Sequence, residues 1–417
     1  MSKKLLLPLL FVALISNEIY SSGFQINEHG AKAMAMAGAF TAIADDASAV
    51  YFNPAALTRL EGTQIYAGVS LIKPDAVFRG PAPAIDEYKV KDQIFTPINF
   101  YLTHRISEDW AAGIGVNNPF GLGTTWEEDW PGRYIALDTE VRTFFFNANI
   151  AYKLTDDFSI AVGGTFVYGD VIIERYQQLS PFNADAKIHL EGDGTAYGFN
   201  VAAFYQPTEM LSFGASFRSE TEIKFEGDAT VEAPSQFEGR IPKGAISAPL
   251  TTPLNATFGI GIYPDENWTL SFDFQYVGWS SYDKLEVTFD EFMGEDGKPV
   301  VSSALRDYKD SFIYRLGGEY DFGSGFSLRG GLLYDTNPVK SQLVEPTLPD
   351  ADRFGYNIGF GLDLMDNFTL DVAYLYLKFR ERTIYNSEVS YTDGFAPFNG
   401  VYNSEAHLFG VNLSFKF

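Results

Sequence analysis

Cysteine is absent from the 417 residues, which excludes a disulfide framework and any thiolate metal site. Histidine is scarce, with four in the chain. His29 stands in a small-residue N-terminal segment, His104 beside a short turn, His189 in a loop and His407 in the last strand. None has a Ser or Asp partner that the sequence can place, so a hydrolytic triad has no support and the chain reads as no enzyme. No apolar run approaches the roughly 18 residues a membrane-spanning helix needs. Basic residues are also short, 30 Lys and Arg against 54 Asp and Glu, for a formal charge of −24. Nucleic acid and anionic surfaces are poor partners for such a chain. The acids of candidate loops, Asp290, Glu291, Glu295 and Asp296 among them, match no calcium-loop spacing, and no metal or other cofactor is expected.

What the chain does have, from Gln64 to Phe417, is a succession of roughly ten-residue stretches with every second residue apolar. In the last of them Phe409, Val411, Leu413, Phe415 and Phe417 share one face, and Leu408, Gly410, Asn412, Ser414 and Lys416 the other. A strand sends successive side chains to opposite faces, so a wall with lipid outside and a polar lumen inside alternates at period two. A soluble sandwich alternates too. The aromatic share of 16%, concentrated at strand ends, favours the membrane barrel, whose interfaces carry aromatic girdles. Lys3 and Lys4 followed by Leu5–Ile15 read as a secretory signal cleaved between Ser21 and Ser22. An exported β-spanning protein of a bacterium ends in the outer membrane, in contact with its lipid and lipopolysaccharide, and is expected to be a monomer.

Short turns recur at Ser107–Asp109, Thr155–Asp157, Pro207–Met210, Pro264–Asn267, Gly323–Gly325 and Asp366–Asn367. Longer connections fall around 74–93, 120–139, 174–192, 227–253, 284–308, 337–352 and 383–403. Six short turns and seven long loops join fourteen strands, with both termini on the periplasmic, short-turn side. The expected fold is all-β, a 14-stranded antiparallel transmembrane barrel over residues 62–417. Phe144, Phe146, Ile150 and Tyr152 of the fourth strand and Trp268, Leu270, Phe272 and Phe274 of the ninth face lipid, with Asn147, Asn149, Ser271, Asp273 and Gln275 inside. Such a lumen is too wide for wall side chains to fill, since eight strands already suffice for a side-chain-packed interior. Residues 22–61 remain to plug it as a small helical hatch, after a 1–21 signal peptide. Gly30, Ala31, Ala33, Met34, Ala35, Met36, Ala37 and Gly38 suit short, closely packed helices, and Asn53-Pro54-Ala55 is a capped helix start.

Gly23-Phe24-Gln25-Ile26-Asn27-Glu28, Ala44-Asp45-Asp46-Ala47, Asn53-Pro54-Ala55, Asn118-Pro119-Phe120-Gly121-Leu122-Gly123, Ile173-Glu174-Arg175-Tyr176 and Leu348-Pro349-Asp350-Ala351-Asp352-Arg353-Phe354 resemble, in order, the outer-membrane long-chain fatty acid and hydrocarbon transporters typified by FadL. The resemblance implies passive carriage of a hydrophobic small molecule, a fatty acid first or an aromatic hydrocarbon, through a hatched barrel whose third strand is kinked to let ligand leave sideways. That kink falls near Asn118, Pro119, Gly121 and Gly123, where Pro cannot donate to a ladder and Gly tolerates bends, although a plain strand end has the same composition. The position matching Arg175 resembles one that contacts the ligand head group. An open general porin and a purely structural barrel are the rivals, separable by conductance and uptake.

Alternation fails in two places. In the fifth strand Val167, Val171 and Ile173 turn inward, and in the thirteenth Leu375, Leu377 and Phe379 do. Together they make an apolar lining for a greasy ligand, or a bed for loops folded into the barrel. The same parity puts Arg175, Arg218, Arg315, Arg329 and Arg353 in the lumen, where an arginine fork can hold a carboxylate. Arg175 is the first choice and Arg315 the second, although Arg315 and Arg329 also suit neutralising Glu319, Asp321 and Asp335.

Overall fold

A computed structural model describes residues 23–179, 184–237, 239–390 and 397–417. The expected signal segment and its cleavage site lie outside them. The wall is one closed antiparallel sheet of fourteen strands. In chain order they are β1 (Thr63–Arg79), β2 (Ile98–Arg105), β3 (Trp110–Asn117 and Gly121–Thr125), β4 (Asp138–Lys153), β5 (Phe158–Leu179), β6 (Ala184–Thr208) and β7 (Leu211–Arg218 and Thr221–Glu232). Then follow β8 (Gly244–Thr252 and Asn255–Ile262), β9 (Trp268–Val277 and Lys284–Met293), β10 (Pro299–Leu305 and Ser311–Asp321), β11 (Phe326–Asp335), β12 (Arg353–Met365), β13 (Phe368–Phe379) and β14 (Gly400–Lys416). Closure runs from Gln64 opposite Lys416 to Arg79 opposite Val401, so the first and last strands leave no edge between them.

All six short turns stand where the sequence puts them. Several of the long connections are shorter than expected, because the strands continue past the membrane as paired hairpins. β5 and β6 stay in register to Leu179 opposite Ala184, and β9 and β10 pair from Lys284 opposite Leu305. His189, expected in a loop, is therefore a strand residue opposite Glu174, with Nδ1 and Oε1 2.8 Å apart. Polar outward residues above the lipid level hide this continuation, while Ile223, Phe225 and Ala229 keep the inward alternation and are buried. Within the wall the period-two reading holds. Phe146, Ile150, Trp268, Leu270 and Phe272 are exposed on the outside, and Asn147, Asn149, Ser271, Asp273 and Gln275 are buried within.

Residues 23–61 lie inside the barrel. They form α1 (Ala31–Ala35), α2 (Ala49–Phe52) and a 3-10 helix (Pro54–Arg59), fewer and shorter helices than a fully helical plug. Small residues let this backbone press on the wall, and wall glycines complete the fit: a Cβ at Gly317 would come within 2.6 Å of the Met36 carbonyl oxygen. Lumen-facing polar side chains of the wall satisfy the segment's backbone. Asn412 Oδ1 accepts from Ala31 N (2.9 Å), Asp273 Oδ2 from Phe40 N (3.0 Å) and Thr41 N (2.9 Å), and Asn357 Nδ2 donates to the Met34 carbonyl (2.6 Å).

Asn53 joins cap and wall. Its Oδ1 accepts from Ala55 N at 3.1 Å, while Nδ2 donates to the Thr41 carbonyl inside the segment (2.8 Å) and the Ala203 carbonyl of β6 (3.0 Å). Asn53→Ala removes the cap, worth about 0.5–2 kcal/mol, and takes the amide donor from the Thr41 and Ala203 carbonyls, while the wall ladders remain. The expected outcome is a folded barrel with raised single-channel leak. Wild-type conductance and uptake in that variant would show that Asn53 does not hold the segment in place.

Candidate functional site

β3 is broken at one place. Asn117 faces Phe145 of β4 and Gly121 faces Arg142, so four steps along β3 cover three along β4. The extra residue flips the parity. Asn117 points inward before the break and Leu122 and Thr124 after it, opposite the inward Val141 and Thr139. The ladder between β2 and β3 ends at Asn99 opposite Asn117, and Gly121–Thr125 pair with β4 alone. Pro119 lacks the N–H that would continue a ladder. Side chains tie off the cut end instead: Asn118 Oδ1 accepts from Ile98 N (2.8 Å), Asn118 Nδ2 donates to the Thr143 carbonyl (2.6 Å), and Thr143 Oγ1 donates to the Phe120 carbonyl (2.6 Å). The chain start fills the break from within, with Ile26 N on the Pro119 carbonyl (2.9 Å) and Gly121 N on the Phe24 carbonyl (3.0 Å).

Beside this break lies a cavity of about 560 Å³. Leu377, Phe379, Leu408 and Arg353 line it from the lumen, Ile98 and Phe144 from the lipid face of the wall, and Pro119's neighbours Asn118, Gly121 and Gly123 from the gap. A Cβ at Gly123 would stand within the ring of Phe95, so glycine there makes room for an aromatic across the opening. A second cavity, also about 560 Å³, lies towards the long-loop end, lined by Val171, Ile173, Arg175, Phe225, Leu250 and Arg306. Phe24, Leu122, Val141 and Leu348 line both and form the partition between them. Phe24 is buried there and meets Trp279 edge-on at 4.7 Å.

The sequence-predicted residues therefore divide. Val171, Ile173 and Arg175 share the upper cavity, whereas Leu377 and Phe379 belong to the lateral one. Leu375 lines neither, being buried against Met34 and Ala35 of the N-terminal segment. A single pocket joining Arg175 to Leu377 is not what the structure forms, because β5 and β13 stand on far sides of the ring and parity reports a face, not a place on the circumference.

The arginines divide as well. Arg329 is ion-paired to Glu319 and Asp371, and Arg353 to Asp335 (2.8 Å). Arg315 lines neither large cavity; its Nη1 donates to Gln275 Oε1 (2.5 Å) and its Nη2 to Asn27 Oδ1 (2.8 Å), gripping the N-terminal segment. Arg306, not singled out from the sequence, faces the upper cavity with Glu345 as its ion-pair partner. Burial disfavours its charge, but the Glu345 carboxylate outweighs that and moves its pKa up, so it stays a matched cation. Its position between two strand segments gave no alternation signal. Among the described residues no His, Asp and Glu group is arranged to hold a metal ion.

Comparison with known proteins follows the same geometry. The chain is 26% identical over 436 residues to the long-chain fatty acid transport protein of Salmonella typhi, and 25% over 447 residues to that of Escherichia coli strain K12, covering 97% of each chain in both cases. Its fold superposes on the crystal structure of a Pseudomonas aeruginosa FadL homologue with a TM-score of 0.85, at 20% identity over 95% of this chain and 100% of the other. The Pseudomonas putida toluene transporter TodX gives a TM-score of 0.75 at 17% identity, over 96% and 99%. With residues 12–417 matching the family described as outer membrane protein transport protein (OMPP1/FadL/TodX), this chain belongs to that family of outer-membrane transport barrels.

Proposed function

We propose that the chain carries hydrophobic molecules passively across the outer membrane, long-chain fatty acids in the first place and aromatic or other hydrocarbons in the second. Cargo enters the upper cavity, where Arg175 receives a carboxylate above Val171 and Ile173, and burial of its chain at about 25 cal/mol per Å² supplies the driving force. It passes Phe24 into the lateral cavity and leaves between β2 and β3 into the bilayer, while residues 23–61 act as a hatch that keeps the lumen closed to solutes. The single observation that carries this reading is the lateral cavity, whose lining combines lumen-facing and lipid-facing residues at an interruption of the wall. The long-chain fatty acid transport proteins named above favour the fatty acid reading, and TodX keeps the hydrocarbon one in view.

Uptake of labelled oleate and toluene by cells carrying or lacking the protein tests the class. Oleate uptake that depends on the protein, with negligible single-channel conductance, is the expected result; a large, solute-unselective conductance would make it a porin. Within that assay Arg175→Ala should weaken oleate binding by about 1.5–3 kcal/mol, the range for a hydrogen bond to a charged group, and leave toluene unchanged. Equal oleate affinity in wild type and variant would remove Arg175 from the site.

A further inference from the structure

Between the N-terminal segment and the wall lies a hollow of about 30 Å³, separate from both large cavities. His29 comes from the segment, Arg218 from β7 and Arg315 from β10. We propose that this hollow binds one monoatomic anion of the halide class, held by His29, Arg218 and Arg315.

The polarity of the site is fixed by a relay of side chains. A guanidinium only donates, so Asn147 Oδ1, 3.0 Å from Arg218 Nη1, is an acceptor. Asn147 Nδ2 therefore donates, to Asn117 Oδ1 at 3.0 Å, and Asn117 Nδ2 in turn donates to His29 Nδ1 at 3.0 Å. His29 is a neutral imidazole with its proton on Nε2. Burial, with Arg218 close by, holds its pKa down to about 3, in keeping with a neutral ring.

Among the described residues neither His29 Nε2–H nor Arg315 Nε–H has an acceptor in hydrogen-bonding geometry, although the Ile26 backbone lies near the imidazole and both residues are more than nine-tenths buried and line the hollow. Two donors left over in one place call for an acceptor. The charges point the same way. Arg218 is satisfied by Asn147 and by the Val50 and Tyr51 carbonyls, and Arg315 by Gln275 and Asn27, all neutral groups. Asp273, paired directly opposite Arg315, directs Oδ2 to the Phe40 and Thr41 N–H groups and leaves Oδ1 buried without a hydrogen-bond partner, so its carboxylate attracts Arg315 at longer range. Asp273 therefore offsets Arg315, but no carboxylate acts on the buried Arg218 guanidinium, and that unmatched charge favours an anion over water. Size sets the class: one water-sized sphere needs about 10–15 Å³, so the hollow takes a single ion and excludes carboxylate-bearing cargo or phosphate.

The bound ion would bridge segment and wall, so it contributes to keeping the lumen closed. Bromide replaces chloride and scatters anomalously, which makes crystals of the full chain grown in bromide the direct test. An anomalous peak in contact with His29 Nε2 and Arg315 Nε is expected, and absence of that peak overturns the proposal. In detergent solution the wild type should melt at a higher temperature in chloride than in gluconate at equal ionic strength, and Arg315→Gln should lose that difference. No salt dependence in the wild type also overturns the proposal, whether or not the variant folds.

Discussion

Deletion of Pro119 should abolish uptake without unfolding the barrel. Between Asn117 and Gly121, β3 has one residue more than β4, and that surplus shifts the inward parity and ends the ladder to β2. Removing it lets β3 run in a single register from Trp110 to Thr125, and it removes the one residue in the break that cannot donate to a ladder. Each restored ladder bond contributes about 0.5–1.5 kcal/mol, so the closed wall is the more stable one. Cargo would still reach the upper cavity, which includes no part of the gap beyond Leu122. The expected result is oleate uptake at the level of cells lacking the protein, with oleate still bound by the purified barrel. Retained uptake in a correctly folded deletion variant would mean that cargo leaves by another route, through the hatch and not the wall.

Leu377→Asp should depress uptake of oleate and toluene alike, by about 100-fold, while leaving binding in the upper cavity intact. Leu377 is buried on the lumen face of β13, packed against the small residues of the N-terminal segment and lining the lateral cavity beside Phe379 and Leu408. A carboxylate there holds water where the alkyl chain or ring must lie, and expelling that water costs several kcal/mol. Leu377→Met keeps the volume and apolar surface and should transport normally, which separates the charge from mere repacking. The contrast with Arg175→Ala is the informative one. Arg175 sits in the other cavity, so its loss should affect acidic cargo only, whereas Leu377→Asp is blind to the head group. Normal toluene uptake by Leu377→Asp would place the exit path elsewhere.

The sequence by itself determined the wall. Strand number, short turns and the lipid and lumen faces all follow from period-two alternation and turn chemistry, which are local properties, and the structure has the same six turns and the same faces. The cap at Asn53 was also legible, because it rests on what adjacent residues can donate, whereas the break near Pro119 came from the family resemblance, a plain strand end having the same composition. Strand length above the membrane was not, since polar residues outside the lipid level remove half of the signal while backbone pairing continues. Only the tertiary structure decided which inward residues share a cavity. Parity told that Val171 and Leu377 both face the lumen, but closure of the ring places β5 and β13 apart, and the folded N-terminal segment divides the space between them at Phe24. The fate of the arginines was decided in the same way. Arg315 and Arg353 read alike along their strands, yet one meets neutral amides of the segment and its wall and the other an aspartate on the next strand, contacts between residues hundreds of positions apart or on neighbouring strands that no local pattern records.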